Sequence, residues 1–462
     1  MADTTTRRDA PADASAAAAE SNSPAAAAPA ADSREAAVEA GAGGGHQDLF
    51  AKCRGDGGYF GIMRAQDDHY FTRPTLPPIP GRRMSYDGKD VVMWSVNNYL
   101  GLADSEEIKQ SAVHAVEEFG VSAPMGSRMM TGNTEYHQAF EAALAEFAQK
   151  ESAFLFNYGY LGVLGTIQSL VGPEDTIVMD KLAHACIVDG AFLSRGQLRV
   201  FKHNSADSLE KTLRHVNRNR KGGVLILTEG VYGMTGDLAI LPDVTRLARK
   251  YDARVFVDDA HGWGVMGEHG RGTADYLGVQ EDVDVYFGTF AKAFASIGGF
   301  SASTKEVIDW ITYNARTQVF AKSLPMPYVQ SLRTTLELVK GGDERRARMW
   351  RNSNALKSGL RELGYHVGPG DSPICSVFIP VRDESVETVG VRTVGYLRER
   401  GIFVTAVTYP VIPMGLCMYR MIPTAQHEPE DIEQTVTVFR QMRDELGLDL
   451  AITGEDMTKV RK

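Results

Sequence analysis

The chain has 462 residues, 43% of them hydrophobic and 23% charged, which is material for a large core in a soluble globular protein. Its net charge of -10 excludes a chain built to grip a nucleic-acid backbone, because that affinity comes from clustered Lys and Arg. Four widely spaced cysteines, Cys53, Cys186, Cys375 and Cys417, form no C-x-x-C pair and read as free thiols in a reducing cytoplasm.

In chain order, residues 1 to 46 are nearly all Ala, Ser, Asp, Glu, Pro and Gly without an aromatic. Such a stretch buries too little apolar surface to offset the entropy of ordering, and reads as a disordered, solvated tail. Arg7 and Arg8 are not followed by a hydrophobic run, so no signal peptide is expected, and no 18-residue apolar span occurs. The expected location is cytoplasmic.

The chain turns globular at about Gln47. "DVVMWSVNNYLGLA" (90–103) reads as a strand entering a turn, and "SEEIKQSAVHAVEEFG" (105–120) as a helix with Ser105 as N-cap and Gly120 just past its end. Apolar runs then recur at 153–156, 176–179, 198–201, 224–228, 254–257 and 283–287, with helical stretches between them. That alternation predicts an α/β fold with a mostly parallel sheet covered by helices on both faces. After about residue 340, "GGDERRARMW" opens a charged helix, and "ICSVFIPV" and "GIFVTAVTYPV" supply strands before a last helix from about Pro429. The expected organisation is a tail (1–46), an N-terminal segment (47–106), a large domain (107–340) and a smaller C-terminal α/β domain (341–462).

Gly262, Gly264 and Gly267 spell G-x-G-x-x-G behind the run at 253–257, the pattern of a dinucleotide-binding turn. Four residues, Asp258 to His261, intervene between strand and first glycine, and "EHGRGTADYLG" is a poor helix. The glycines therefore serve something other than NAD. Asp258 and Asp259 instead end a strand, and Lys292 in "GTFAKAFASIGGF" comes after the next one. Asp, His and Lys at one sheet edge are the parts that hold an aldehyde cofactor: an amine for the Schiff base and a carboxylate to keep a ring nitrogen protonated.

"NNYLGLA", "GSRMMTGNTEYHQAFE", "FNYGYLGVLGT", "DKLAHACIVDG", "TEGVYGMTGD", "VDDAHGWGVMGEHGRG", "GTFAKAFASIGGF", "FAKSLPMP" and "RMIPTAQH" occur in this order. On these motifs the chain resembles the α-oxoamine synthases, pyridoxal-phosphate enzymes of fold type I, over roughly residues 50 to 450, and most of all the bacterial serine palmitoyltransferases. The resemblance implies the Schiff-base lysine at Lys292, the pyridinium partner at Asp258, a ring-hydroxyl contact at His261 and a ring-stacking imidazole at His184. It assigns Gly159, Tyr160, Thr289 and Ser323 to the cofactor phosphate, Arg420 to the amino-acid carboxylate, and Asn98 to the same neighbourhood. His137 and Glu141, four apart on one helical face, lack further ligands and read as ordinary helix residues.

Two positions depart from the family pattern. Gly233 stands where many members carry a serine that bonds the cofactor hydroxyl, and Lys322-Ser323 replaces a hydroxyl pair that reaches the phosphate across a dimer. Lys322 is then available to a phosphate or to an acidic substrate group. The implied reaction condenses a small L-amino acid, serine first, with a long-chain thioester of coenzyme A or acyl carrier protein, releasing carbon dioxide and a 3-keto long-chain base. Cysteate, giving a sulfonated base, is the near alternative; glycine- or alanine-using relatives come after it. The resemblance also implies a homodimer. A lipid product suits contact with a membrane surface, although no basic amphipathic helix announces it.

Overall fold

A computed structural model describes residues 48–53, 73–382, 384–408, 412 and 415–451. The tail expected at 1–46 lies outside these. The chain divides into two compact units, 1–68 and 69–462. Of the first, the described residues 48–53 hold a single turn of 3-10 helix at Ala51–Cys53.

The second unit opens with strands β1 (Arg83–Tyr86) and β2 (Lys89–Met93) and continues with β3 (Ser152–Phe156), β4 (Thr176–Asp180), β5 (Gln197–Phe201), β6 (Val224–Glu229), β7 (Arg254–Asp258), β8 (Val285–Thr289) and β9 (Gly299–Ser303). Towards the C-terminus lie β10 (His366–Val367), β11 (Cys375–Pro380), β12 (Ile402–Phe403), β13 (Ala406–Val407) and β14 (Leu416–Met421). Seven strands form the main sheet in the order β3-β9-β8-β7-β6-β4-β5. From β8 to β5 every pairing is parallel, while β9 runs antiparallel between β3 and β8.

The strands read as continuous apolar runs because both faces of the sheet are covered. In β7, Val255 and Val257 pack into one core with Val178, Ile226 and Tyr286, while Phe256 points the other way with Ile177, Leu227 and Phe287. Each such side chain contributes about 1.5–3 kcal/mol on burial. The helix expected after Ser105 spans Glu106–Phe119 and ends at Gly120, whose φ of 79° suits a residue without a Cβ.

β9 is absent from the sequence reading, since "GGFSAS" has no apolar run; its small residues fit between β3 and β8. A four-stranded antiparallel sheet, β10-β11-β14-β13, forms over its own core with helices Asp343–Glu362, Val386–Glu399 and Pro429–Leu446. The N-terminal strands join this half: β2 pairs in parallel with β12. Trp94, fully buried, stacks on His427 at 4.0 Å and donates to Thr435 Oγ1 at 3.0 Å. Buried Asp431 accepts from Arg82 at 2.6 Å and Arg83 at 2.9 Å, closing the same junction.

Candidate active site

Parallel strands deliver their last residues to one edge of the sheet, where ligands of such folds bind. Register sets Glu229, the end of β6, opposite Asp258, the end of β7. Asp258 is buried; its Oδ1 accepts Ala260 N at 3.1 Å and its Oδ2 faces Cys186 Sγ at 3.5 Å. Burial, together with the Asp258 charge, pushes the Glu229 carboxyl well above the usual range.

Lys292 sits just past β8 in a tight loop, closed by Ala295 N to Lys292 O at 2.9 Å and Ser296 N to Phe290 O at 2.8 Å. Desolvation pulls its amine below the usual lysine value, with Asp258 opposing and Arg420 assisting. His261 is buried, and its Nδ1 lies 2.9 Å from the Tyr99 hydroxyl. Burial first, then the Lys292 and Arg420 charges, hold its imidazole neutral. Tyr99, raised to about 12 by burial, stays a phenol. His184 caps the helix Ala185–Leu193, with Nδ1 at 3.3 Å from Cys186 N, and Tyr160 meets it edge-on at 6.3 Å.

Arg420, on β14, enters from the C-terminal sheet. Its Nε donates to Gly233 O and an Nη to Asn97 Oδ1 at 3.1 Å. The helix Gly159–Leu170 begins against Thr289, so closely that a Cβ on Gly159 would lie 2.6 Å from Thr289 Oγ1. Beside it, Asn157 Oδ1 is buried without a hydrogen-bond partner among the described residues.

Lys292, Asp258, His261, His184 and Arg420 thus share one electrostatic neighbourhood, with Gly159 and Thr289 in contact nearby. Asn98 takes another position: its amide bonds Ala103 N at 3.2 Å and Gln426 at 3.4 Å, and its neighbours Asn97 and Tyr99 face Arg420 and His261 instead. Within the chain, Ser323 Oγ donates to Gly126 O at 3.0 Å and Lys322 Nζ to Ser122. His137 bonds Leu324 O at 2.9 Å, and Glu141 takes Arg128 in a fork of two 2.8 Å bonds. Glu229, Asn97 and Tyr99 carry no site assignment from the sequence, and Cys186 is read there only as a free thiol; the strand-end position of Glu229 in "LILTEG" is the available signal.

The glycine motif serves packing. Asp259, fully buried, accepts Thr273 N and Oγ1 at 2.6 Å each and the Tyr286 hydroxyl at 2.8 Å. A Cβ on Gly262 would lie 2.1 Å from Thr273 Oγ1. Past Gly267 the chain makes one 3-10 turn and a four-residue helix, with no dinucleotide-type helix start.

The sequence pattern of the aminotransferase class I and II family matches residues 89–439. With the parallel sheet and its edge lysine, this defines a fold type I transferase. A cysteate-C-fatty acyltransferase from Capnocytophaga ochracea is 40% identical over 415 residues, 88% of this chain and 98% of that protein. A serine palmitoyltransferase from Bacteriovorax stolpii is 35% identical over 382 residues, 83% and 89% of the two chains. A serine palmitoyltransferase variant from S. paucimobilis, solved with a PLP–myriocin aldimine bound, superposes with TM-score 0.79 at 28% identity, over 87% of this chain and all of that one. The chain therefore belongs to the aminotransferase class I and II family and, within it, to the α-oxoamine synthases, which are C-acyltransferases.

Pyridoxal 5'-phosphate is the cofactor of this class, and the residues fit it. A buried amine stands beside a buried carboxylate, a neutral imidazole lies across the same edge, and Gly159, with no room for a Cβ against Thr289, presents bare backbone at the start of its helix.

Proposed function

We propose that the protein joins a long-chain acyl thioester to the α-carbon of a small L-amino acid with loss of its carboxylate as carbon dioxide. The observation that supports this reading is the desolvated Lys292 amine in the field of Asp258, with the Arg420 guanidinium in the same space. Lys292 holds the cofactor, and once released by the amino acid it takes the Cα proton. Burial lowers its proton affinity from the usual lysine value, the direction a free-amine base requires. The cofactor, when bound, supplies the electron sink for charge on that carbon. Asp258 keeps the ring nitrogen protonated, His261 and His184 hold the ring from edge and face, and Gly159, Tyr160 and Thr289 hold the phosphate.

Arg420 grips the substrate carboxylate. Gly233 O and Asn97 Oδ1 fix the guanidinium plane, and one Nη makes no hydrogen bond to the described residues. For the amino acid, 40% identity across 98% of a cysteate acyltransferase moves the reading from serine, the first expectation, to L-cysteate. L-serine is the second reading, supported by the serine palmitoyltransferase relative and the superposition. A second copy of the chain completes the site, with Lys322 offered to the phosphate or the sulfonate.

The test is to titrate purified, cofactor-loaded protein with L-cysteate, L-serine, glycine and L-alanine while monitoring its visible band, then add a long-chain acyl thioester and weigh the product. Saturation and turnover with cysteate, giving a sulfonated keto amine, is expected. Turnover with serine alone selects the second reading, and silence with all four overturns the assignment.

A further inference from the structure

His203 stands outside the active site, yet it ties together the backbone that carries two of its residues. It lies just past β5, and its ring sits between two carboxylates: Nδ1 is 3.0 Å from Asp180 Oδ1 and Nε2 is 2.7 Å from Asp237 Oδ2. An ionised carboxylate only accepts, so both ring nitrogens donate and the ring is an imidazolium. The clamp is well enclosed, with side-chain exposures of 11% for His203 and 1% for Asp180. The Tyr232 ring closes on it edge-on at 4.4 Å.

Each carboxylate reaches further. Asp180 also accepts Leu182 N at 2.8 Å and Asn204 N at 3.0 Å, fixing the turn between β4 and the helix that His184 caps. Asp237 also accepts Asn204 Nδ2 at 2.8 Å and the Thr235 hydroxyl. Its carbonyl takes Tyr232 N at 3.0 Å, closing the turn around Gly233, whose own carbonyl holds Arg420. We infer that His203 is a positioning residue: through Asp180 and Asp237 it sets where His184 stands relative to the Gly233 carbonyl under Arg420, and so tunes how the site binds its amino acid. The inference rests on the reading of Arg420 given under Proposed function.

Asp180 from β4, together with Asp237 and Tyr232 from the 230–239 turn, faces the imidazole. Burial pulls His203 down, but the hydrogen bonds and charges of Asp180 and Asp237 prevail and raise it to about 9. Raised above the ordinary histidine value, the charged clamp is intact through neutral pH and opens as pH rises through about 9.

Two variants of the holoenzyme test this. His203→Gln offers one donor end and one acceptor end, so one aspartate loses its partner; Asp237→Asn keeps a bridge but removes one charge. Spectral titration with the amino acid across pH should show His203→Gln binding about ten- to a hundredfold more weakly, the scale of a small misplacement, with cofactor content and saturated kcat nearly unchanged. Asp237→Asn should move the alkaline limit of binding to lower pH. The circular dichroism of the cofactor band, sensitive to where His184 sits, should change in His203→Gln even without amino acid. A His203→Gln protein with normal affinity and an unchanged dichroic band overturns the inference. If that variant fails to fold, an unmoved alkaline limit in Asp237→Asn overturns it alone. A wild-type protein that answers no amino acid sinks the substrate reading, and the dichroic band then decides on His203.

Discussion

Gly233 owes its identity to a neighbour 28 positions along the chain. A Cβ there would lie 2.4 Å from His261 Nε2, so the ring occupies the space a serine would take. Gly233→Ser should displace that ring, break its 2.9 Å bond to Tyr99, and cost about 1–3 kcal/mol as overpacking does. Thermal melting of the variant checks this, and an unchanged melting temperature would mean the ring has room to retreat. Lys292→Ala should remove turnover by at least about 10²–10⁴-fold, the range of a lost general base, as measured by product formation. At this scale the sequence was informative wherever a residue's chemistry is scarce. Lys292, Asp258 and His261 stood out by motif, whereas Glu229, an ordinary acid in "LILTEG", became notable only once register set it against Asp258.

The elements that build the edge were largely legible, because a strand covered on both faces must be apolar throughout and the helices between are amphipathic. β9 and β14 were not: one is mostly small residues, and the other, "LCMYRM", has its apolar run broken by the arginine that reaches the site. The ends of β4 and β5 also carry a stability term. His203, raised to about 9, contributes stability that is complete below its unfolded value near 6.5 and is lost as pH rises through about 9. The shift corresponds to at most about 3.5 kcal/mol at 1.36 kcal/mol per unit. Melting temperatures at pH 7 and pH 10 should therefore fall further apart for the wild type than for His203→Gln, and equal differences would refute the term.

For the molecule as a whole, the proposed dimer makes a prediction of its own. If Lys322 serves the partner's site, Lys322→Ala and Lys292→Ala chains that are each inactive should regain activity when unfolded together and reassembled. Random pairing puts one intact site in half of the dimers, so recovery should reach about a quarter of wild type. No recovery would mean that Lys322 serves its own chain. The sequence by itself determined the alternation of helices with the parallel strands β4 to β8, the mostly parallel character of the sheet and the lysine and acids at its edge, since periodicity and residue chemistry are local properties. Only the tertiary structure decided that β2 joins β12, that Asn97 and Tyr99 rather than Asn98 face the site, and that His203 lies between two aspartates. Those facts depend on register and on contacts between residues far apart in the chain, which a single sequence does not encode in any local pattern.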